Sequence, residues 1–250
     1  MEEKEVKEAE DAIDLKKKRK KIAKKKSESI LQPVNKKGRH VNGMLIFLRI
    51  WLLPIVWLLY PFKLFGKKRV NDGACIYVGN HYRLWDVAYP TCTTSEGIHY
   101  VAKNELKNSF IWPFCKAVKL ITVNRNGEDV KALMDILKCL KNGEKVAIYP
   151  EGTRNKTDAE LLPFHNGAVM MSIKTKTPIV PVVIYKKPRM LHMNHIIIGE
   201  PFELSEYYGQ KLTQELLTEA NEKLRERMLA IRRDHAEMLE KKKNKHKNKY

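Results

Sequence analysis

The stretch Asn80-His81-Tyr82-Arg83-Leu84-Trp85-Asp86 places a histidine and a carboxylate five positions apart. It follows Ala74-Cys75-Ile76-Tyr77-Val78, a run of apolar, β-branched and aromatic residues that predicts a buried strand. His81 is therefore expected where that strand ends, which is the edge at which open α/β sheets bind their ligands. If Asp86 accepts the proton of one imidazole nitrogen, the other nitrogen is left to act as a base near neutral pH. A substrate that brings its own hydroxyl then needs no serine nucleophile on the protein.

The pair is not specific by itself, because the chain contains eight histidines and so short a motif arises by accident. On one regular helix, residues five apart are separated by about 140°, so His81 and Asp86 would face different ways. A turn leading into a helix is needed to bring them together. The alternative interpretation is a loop histidine, with Asp86 serving only as a helix N-cap.

A second polar cluster, Pro150-Glu151-Gly152-Thr153-Arg154, follows the apolar run 145–149 and is expected at another strand end. Proline cannot continue a central ladder, and glycine lets another group approach the backbone closely. Arg154 offers a planar fork that suits a phosphate, while Glu151 can hold an arginine or a substrate hydroxyl. The alternative is a surface turn in which Glu151 and Arg154 pair in solvent.

Two further cations, Lys103 and Arg125, each lie just past a predicted strand. Together with Arg154 they would form an anion site if they converge on one crevice at the strand ends. Taken singly, each is equally well explained as an exposed surface charge.

The elements that must position these residues follow an α/β pattern, in which apolar strands alternate with amphipathic helices. We expect a single mixed, mainly parallel sheet flanked by helices, with an N-terminal membrane-embedded helical motif and a long C-terminal helix. Strands are predicted near 74–79, 98–102, 120–124, 145–149, 179–184 and 195–199, and helices at 128–140, at 167–174 and from 212 to about 240.

Residues 44–62 form an apolar segment with a single charge, close to the length of about 20 residues that crosses a bilayer. Arg49 and Pro54 interrupt the segment, and basic residues flank it on both sides. A broken helix or helical pair that enters one leaflet from the cytoplasmic side fits this pattern better than a full crossing. The polar residues ahead of it, without a small-residue cleavage site, argue against a signal peptide. A buried core helix is the alternative.

The formal charge of +19 is concentrated in the tails, since +6 lies in residues 1–40 and +6 in residues 241–250. Such tails suit a polyanionic surface, either an anionic bilayer or a nucleic acid. The four cysteines show no C-x-x-C spacing, which is typical of reduced thiols. The predicted division is a polybasic arm (1–40), an apolar membrane-association motif (41–70), an α/β domain (71–208), a C-terminal helix (209–240) and a lysine-rich tail (241–250).

Taken in order, the motifs resemble those of the glycerolipid acyltransferase family, specifically its PlsC-type lysophosphatidate acyltransferases, over about residues 71–200. The family's second motif, G-x-x-F-x-x-R, is matched here only at its arginine, because Lys119 and Thr122 stand in place of its glycine and phenylalanine. The matching segments are N-H-x-x-x-x-D at Asn80 to Asp86, K-x-E-L at Lys103 to Leu106, the arginine at Arg125, E-G-T-R at Glu151 to Arg154, F-x-x-G-A at Phe164 to Ala168 with His165 replacing a lysine, and the strand proline at Pro181.

The resemblance implies transfer of a fatty acyl group from a thioester donor to the free hydroxyl of 1-acyl-glycerol-3-phosphate, giving phosphatidic acid for phospholipid biosynthesis. It implies that His81 is the base and that Asp86 orients it. It requires no metal and no bound cofactor, since acyl-CoA or an acyl carrier protein thioester is a co-substrate. The resemblance further assigns Lys103, Arg125 and Arg154 to the acceptor phosphate, and Asn80, Glu151, Gly152 and Thr153 to the acceptor site or to oxyanion support.

The expected partners are a phospholipid membrane with an anionic surface, lysophosphatidate and the thioester donor, and the expected location is the cytoplasmic face of that membrane. One alternative is a related acyltransferase that uses glycerol-3-phosphate or another lysolipid. A nucleic-acid binder is the non-enzymatic alternative, but it predicts aromatic residues among the cations of the tails, which lack them except for Tyr250. Serine hydrolysis is disfavoured because no G-x-S-x-G occurs, and His192 and His195 lack nearby thiolates or carboxylates for a metal site.

Overall fold

A computed structural model of the chain describes residues 43–66, 70, 73–94, 96–108, 120–124 and 129–247. The predicted arm at 1–40, Arg125 and the last three residues of the predicted tail lie outside this part of the chain. The main elements are α1 (Gly43–Leu59), β1 (Phe62–Gly66), β2 (Cys75–Gly79), β3 (Ile98–Lys103), β4 (Ile121–Val123), α2 (Val130–Lys141), β5 (Lys145–Ile148), α3 (Gly167–Thr175), β6 (Ile179–Ile184), β7 (Asn194–Ile198) and α4 (Gln214–Lys247).

The strands form one seven-stranded sheet in the order β1-β7-β6-β2-β5-β3-β4. The five strands from β6 to β4 run parallel, β7 is antiparallel to β6, and β1 is parallel to β7. The prediction of a mixed, mainly parallel sheet is therefore confirmed, and each of the six predicted strands is present to within two residues at either end.

One strand was not predicted. The sequence placed residues 41–70 in an apolar helical motif, whereas β1 pairs with β7 along its whole length, from Phe62 opposite Asn194 to Gly66 opposite Ile198. The apolar run that ends at Phe62 hid the start of this strand, and Lys63 looked like a basic flank of a membrane segment. Among the residues that the structure describes, α1 is the only helix in this motif.

Both faces of the central strands are covered. Helices α2, α3 and α4 pack on one face, with Ile76 and Val183 among the residues of that core. Tyr82 and Tyr89, from the segment that follows β2, help to fill the core on the other face. Burial on two sides explains why these strands are continuous apolar runs instead of alternating ones.

Helix α1 is 17 residues long and includes Pro54. It meets the sheet at its C-terminal end, where the rings of Tyr60 and Trp85 lie 4.7 Å apart and the Trp57 indole donates to the Phe62 carbonyl oxygen. Within the residues that the structure describes, no helix combines the length and the apolar character needed to cross a membrane.

Helix α4 runs for 34 residues along the domain. Its buried stripe includes Ala220, Leu224 and Met228, as its sequence pattern predicted. The helix continues to Lys247, so residues 241–247 of the predicted tail are helical.

Candidate active site

The turn after β2 brings His81 and Asp86 together. A short 3₁₀-helix begins at Leu84, and the Asp86 side chain reaches back across the turn from that helix. Its Oδ2 accepts hydrogen bonds from the backbone N–H groups of Tyr82 and Arg83, both at 2.6 Å, and lies 3.1 Å from Nδ1 of His81. Asp86 therefore holds the backbone of the turn and orients the imidazole at the same time. The orienting role predicted for Asp86 is thus present, whereas the alternative of Asp86 as a helix N-cap is wrong, because Arg83 is the N-cap and Asp86 is the third residue of the 3₁₀-helix.

The imidazole of His81 is partly open to solvent, with 18% of its side chain exposed, while Asp86 is fully buried. Because Asp86 is hydrogen-bonded at Nδ1, the Nε2 atom is left to accept a proton from a substrate. The ring also packs on Tyr149, with ring centroids 4.6 Å apart. The Tyr149 hydroxyl donates to the Asp86 carbonyl oxygen at 2.9 Å, so one tyrosine braces both members of the pair.

The close packing of Tyr149 explains why a glycine ends β2. A Cβ atom on Gly79 would lie 2.9 Å from the Tyr149 ring and 3.3 Å from the Val182 carbonyl oxygen. The first of these separations is shorter than any normal carbon–carbon contact, so a larger residue at Gly79 has to displace the ring that contacts His81.

Asn80 ties the same turn to β6. Its side-chain nitrogen donates to the Ile184 carbonyl oxygen at 3.0 Å, and its side-chain oxygen accepts from the Ile184 N–H at 2.8 Å. Both polar atoms of this buried amide are thus engaged by the end of β6. Asn80 positions the neighbouring His81 through the backbone.

The segment Pro150–Arg154 lies against the turn on its other side. Glu151 Oε1 accepts from the His81 N–H at 3.2 Å, and Oε2 accepts from the Leu162 N–H at 3.2 Å. The Asn155 N–H donates to the His81 carbonyl oxygen at 2.6 Å. Gly152 has φ +62°, a left-handed conformation that favours glycine. The predicted strand ends after β2 and β5 therefore form one structure around the His81 backbone.

Glu151 is buried, and burial raises the pKa of its carboxyl group to about 7. The desolvation of the charged form is the largest cause; the two backbone N–H donors lower the pKa, and the nearby Asp86 carboxylate raises it. Since both carboxyl oxygens accept backbone hydrogen bonds, Glu151 acts as a support for the loops around His81.

The predicted cations lie along the same edge of the sheet. Lys103 is the last residue of β3, where it pairs with Val123 of β4, and it is half-buried. Arg154 is exposed and immediately precedes Asn155, which contacts the His81 backbone. Thr153 is also exposed. Lys103 thus lies at the carboxyl end of β3, two strands from β2, and Arg154 lies in the segment after β5 that contacts the His81 backbone. Arg125 lies outside the described residues.

Three residues that support His81 were not predicted from the sequence: Tyr149, Asn155 and Leu162. Tyr149 stands directly before the predicted Pro150 segment, but nothing in its spacing points to His81. Its contact depends on β2 lying beside β5, which is a property of sheet pairing. Such a pairing leaves no local signal.

Metal-ligating side chains are grouped elsewhere. His192 and His195 do not meet: Nδ1 of His192 lies 2.8 Å from the Met190 carbonyl oxygen, and Nδ1 of His195 lies 2.9 Å from Nε2 of His235. In the described part of the chain, one group of three ligating side chains has its atoms within 4.8 Å of one another, and it consists of His99, Cys139 and Glu144. It is buried at the amino ends of β3 and β5, away from His81.

Comparisons with known proteins agree with this geometry. The family model described as Acyltransferase matches residues 62–185, which include every predicted site residue. A 1-acyl-sn-glycerol-3-phosphate acyltransferase of Bacillus subtilis is 33% identical over 142 residues, covering 52% of this chain and 68% of that protein. The beta form of the Homo sapiens enzyme of the same name is 30% identical over 161 residues, covering 58% of this chain and 54% of that protein.

The fold also has a solved counterpart. The crystal structure of the 1-acyl-sn-glycerophosphate (LPA) acyltransferase PlsC from Thermotoga maritima superposes with a TM-score of 0.54 at 23% identity, covering 74% of this chain and 79% of that chain. Strands β1 to β6, the turn that carries His81 and Asp86, and the six matching sequence segments lie in the region that the family model matches, while β7 lies beyond it. By its sequence match to relatives of this kind, the chain belongs to the acyltransferase family.

Proposed function

We propose that this protein transfers a fatty acyl group from a thioester donor to the free hydroxyl of 1-acyl-glycerol-3-phosphate, giving phosphatidic acid. The observation that carries the proposal is the His81–Asp86 pair at a carboxyl edge of the sheet, with Nδ1 3.1 Å from Oδ2. The names of the relatives support the choice of acceptor, since those in Bacillus subtilis and Homo sapiens are 1-acyl-sn-glycerol-3-phosphate acyltransferases.

The reaction proceeds by direct transfer. Nε2 of His81 accepts the proton of the acceptor hydroxyl as its oxygen attacks the thioester carbonyl carbon, and Asp86 stabilises the imidazolium that forms. The tetrahedral intermediate then collapses, the carbon–sulfur bond breaks, and the imidazolium returns the proton to the departing thiolate. Ester and thiol are the products, and His81 is restored without an acyl-enzyme.

Anchoring of the acceptor phosphate supplies the orientation. Lys103 ends β3, Arg154 lies in the segment that follows β5, and Arg125 follows β4 in the sequence. A phosphate held by these cations fixes the distance from the hydroxyl to Nε2, and this converts binding energy into a favourable attack geometry. Arginine forks suit the phosphate because they donate two parallel hydrogen bonds. Asn80, Glu151, Gly152 and Thr153 maintain the shape of this site.

The donor is acyl-CoA or an acyl carrier protein thioester, and the proposed mechanism needs neither a metal nor a bound organic cofactor. The thioester is already activated towards an alkoxide-like nucleophile. The protein therefore needs only to bring the two substrates together, to take up one proton and to return it.

We also propose that the protein acts on a membrane, from its cytoplasmic face. Helix α1 supports this, since Phe47, Ile50, Trp51 and Leu58 expose large apolar surfaces. A helix of this kind lies in the lipid interface with its apolar side among the acyl chains. The polybasic arm at 1–40 adds attraction to anionic lipid, at about 1 kcal/mol for each cation close to the surface.

An acceptor panel tests the proposed function. Purified protein is given labelled acyl-CoA and acyl carrier protein thioesters together with lysophosphatidate, glycerol-3-phosphate or other lysolipids, and His81→Ala is run alongside. Phosphatidate formation from lysophosphatidate, lost in the variant, is the expected result. Preferred use of glycerol-3-phosphate reassigns the acceptor, and undiminished acyl transfer by His81→Ala overturns the mechanism.

A further inference from the structure

A basic cleft lies on the β6 side of the turn that carries His81, whereas Lys103 lies at the end of β3 on the other side of β2. It has a volume of about 540 Å³ and opens between the end of α1, the turn after β2 and the loop that joins β6 to β7. Tyr60 and Arg83 line it from the first two elements, and Lys186, Lys187 and Arg189 line it from the loop. The acceptor phosphate does not need these cations, because the proposed function assigns it to Lys103, Arg125 and Arg154.

The charges of the cleft are not balanced by the described residues that line it. Four of its lining residues are cations, and none of the described residues that line it is acidic. Arg83 is half-buried, with its guanidinium 6.0 Å from the centre of the Tyr60 ring. Its Nε is buried and has no hydrogen-bond partner among the described residues. The described residues thus leave Arg83 with unused donor capacity. Because its half-buried side chain lines the cleft together with three further cations, the site favours an anion.

The rim of the cleft is apolar and exposed. Met190, Leu191 and Met193 of the β6–β7 loop are 51%, 69% and 56% exposed. The Leu191 N–H donates to the Leu59 carbonyl oxygen at 2.8 Å, which fixes the tip of the loop to the end of α1. The exposed residues of the loop are thus continuous with exposed Leu58 and Leu59 of the helix.

Cations beside exposed apolar side chains are the pattern of a lipid interface, where the apolar groups enter the acyl region and the cations reach the phosphates. Binding of a water-soluble phosphate ester would not explain the three exposed apolar residues at the rim. We propose that the basic cleft binds the phosphate of an anionic phospholipid headgroup that is not itself the acceptor. This binding would hold the mouth of the active site against the membrane.

The inference rests on the proposed membrane association but not on the acyl transfer itself, so it is tested by binding. The full-length protein is floated with vesicles of phosphatidylcholine, with and without phosphatidylglycerol, at constant ionic strength. The double variant Lys186→Gln/Lys187→Gln removes two exposed cations of the cleft. The matched control is Lys174→Gln/Lys211→Gln, in which Lys174 lies in the last turn of α3, at the opposite edge of the sheet.

The cleft variant is expected to bind phosphatidylglycerol vesicles about 25-fold more weakly than the wild type, which corresponds to about fivefold for each cation near the surface. Its binding to pure phosphatidylcholine should change little, and the control variant should keep the wild-type affinity. Thermal unfolding of both variants checks that the fold is intact.

Three outcomes overturn the inference. Equal losses in the cleft and control variants mean that only net charge matters. Wild-type binding by the cleft variant means that the cleft does not touch lipid. Release of the wild type from vesicles by free coenzyme A or inorganic phosphate, with the same dependence on Lys186 and Lys187, reassigns the cleft to a soluble phosphate ester. A wild type that floats as expected but forms no phosphatidate refutes the proposed function alone.

Discussion

Two histidine–carboxylate pairs lie at opposite edges of the same sheet. At the carboxyl edge, Nδ1 of His81 is 3.1 Å from Oδ2 of Asp86; at the amino edge, Nε2 of His99 is 3.0 Å from Oε2 of Glu144. The two separations are nearly equal, but 18% of the His81 side chain is exposed whereas His99 and Glu144 are completely enclosed. The chemistry of a pair therefore does not decide its role, because only His81 offers its second ring nitrogen to a substrate.

The surroundings of the two pairs differ for a structural reason. At the carboxyl edge, the turn after β2 and the segment 149–166 after β5 leave part of the His81 side chain exposed. At the amino edge, the end of α2 closes over the strands, and Cys139 of that helix contributes to the same buried group as His99. Burial raises the pKa of the Cys139 thiol, with a further contribution from Glu144, so the thiol stays neutral. A second buried pair, Lys145 and Glu96 at 3.0 Å, lies nearby.

The largest effect is expected from His81→Ala. Loss of a positioned base should lower kcat by about 10²- to 10⁴-fold. The loss of stability should be smaller than for a fully enclosed pair, because Asp86 keeps its hydrogen bonds from the Tyr82 and Arg83 N–H groups. Single-turnover acyl transfer measures the rate, and thermal unfolding measures the stability. A variant that retains its rate would show that the open pair is not the base.

The enclosed pair should respond in the opposite way. His99→Ala leaves Glu144 without this partner in the interior, and the loss of one member of a buried pair costs about 3–5 kcal/mol. The unfolding free energy in urea should fall by that amount, while the folded protein keeps its kcat. Replacing both residues by leucine should recover part of the loss, since an apolar pair carries no desolvation cost. Loss of activity without loss of stability would contradict the distinction between the two edges.

The contrast also shows what the sequence can and cannot predict. His81 and Asp86 are five residues apart in one turn, so a local pattern was enough to place them at a strand end. The Pro150 segment was predicted for the same reason. His99 and Glu144 come together only because β3 pairs with β5, and no motif marks either residue. The pairing of distant strands brings His99 and Glu144 together, and the periodicity of a sequence does not reveal which strands will pair.

The absence of a sequence signal for strand pairing also explains why two features at the edges of the fold, β1 and the basic cleft, were not predicted. The central strands β2 and β6, buried along their whole length, stood out as apolar runs, and the other four predicted strands also carry enough apolar residues to be recognised. Strand β1 did not, because its burial is partial and its sequence continues from an apolar helix. The basic cleft was not predicted either, since it needs Arg83 from one turn and Lys186 from a loop that sheet pairing brings beside it.

An intermediate effect is expected at the cations that would anchor the acceptor beside the open pair. Arg154→Ala should lower kcat/KM for lysophosphatidate by about 10- to 100-fold, since hydrogen bonds to charged groups contribute about 1.5–3 kcal/mol. Lys103→Ala should act in the same direction. The matched control is a monoacylglycerol acceptor without a phosphate, on which Arg154→Ala should have no further effect. An equal loss on both acceptors would place Arg154 outside the phosphate site.

The smallest effect concerns Glu151, a carboxylate that is buried like Glu144 yet lies beside the open pair. Its pKa is raised from 4.5 to about 7, so the folded protein holds a proton that the unfolded chain releases above about pH 4.5. This contribution to stability is complete below pH 4.5 and is lost as the pH rises to about 7.

Glu151→Gln does not titrate, so the unfolding free energy of the wild type should fall relative to that of the variant across this window and then stay level. Urea unfolding at several pH values measures the difference, and Glu203→Gln is the control for replacing a glutamate on the exposed surface. A difference that stays constant from pH 4.5 to 7 would mean that Glu151 is ionised in the folded protein throughout, held by the N–H groups of His81 and Leu162 as firmly as Asp86 is held in its turn.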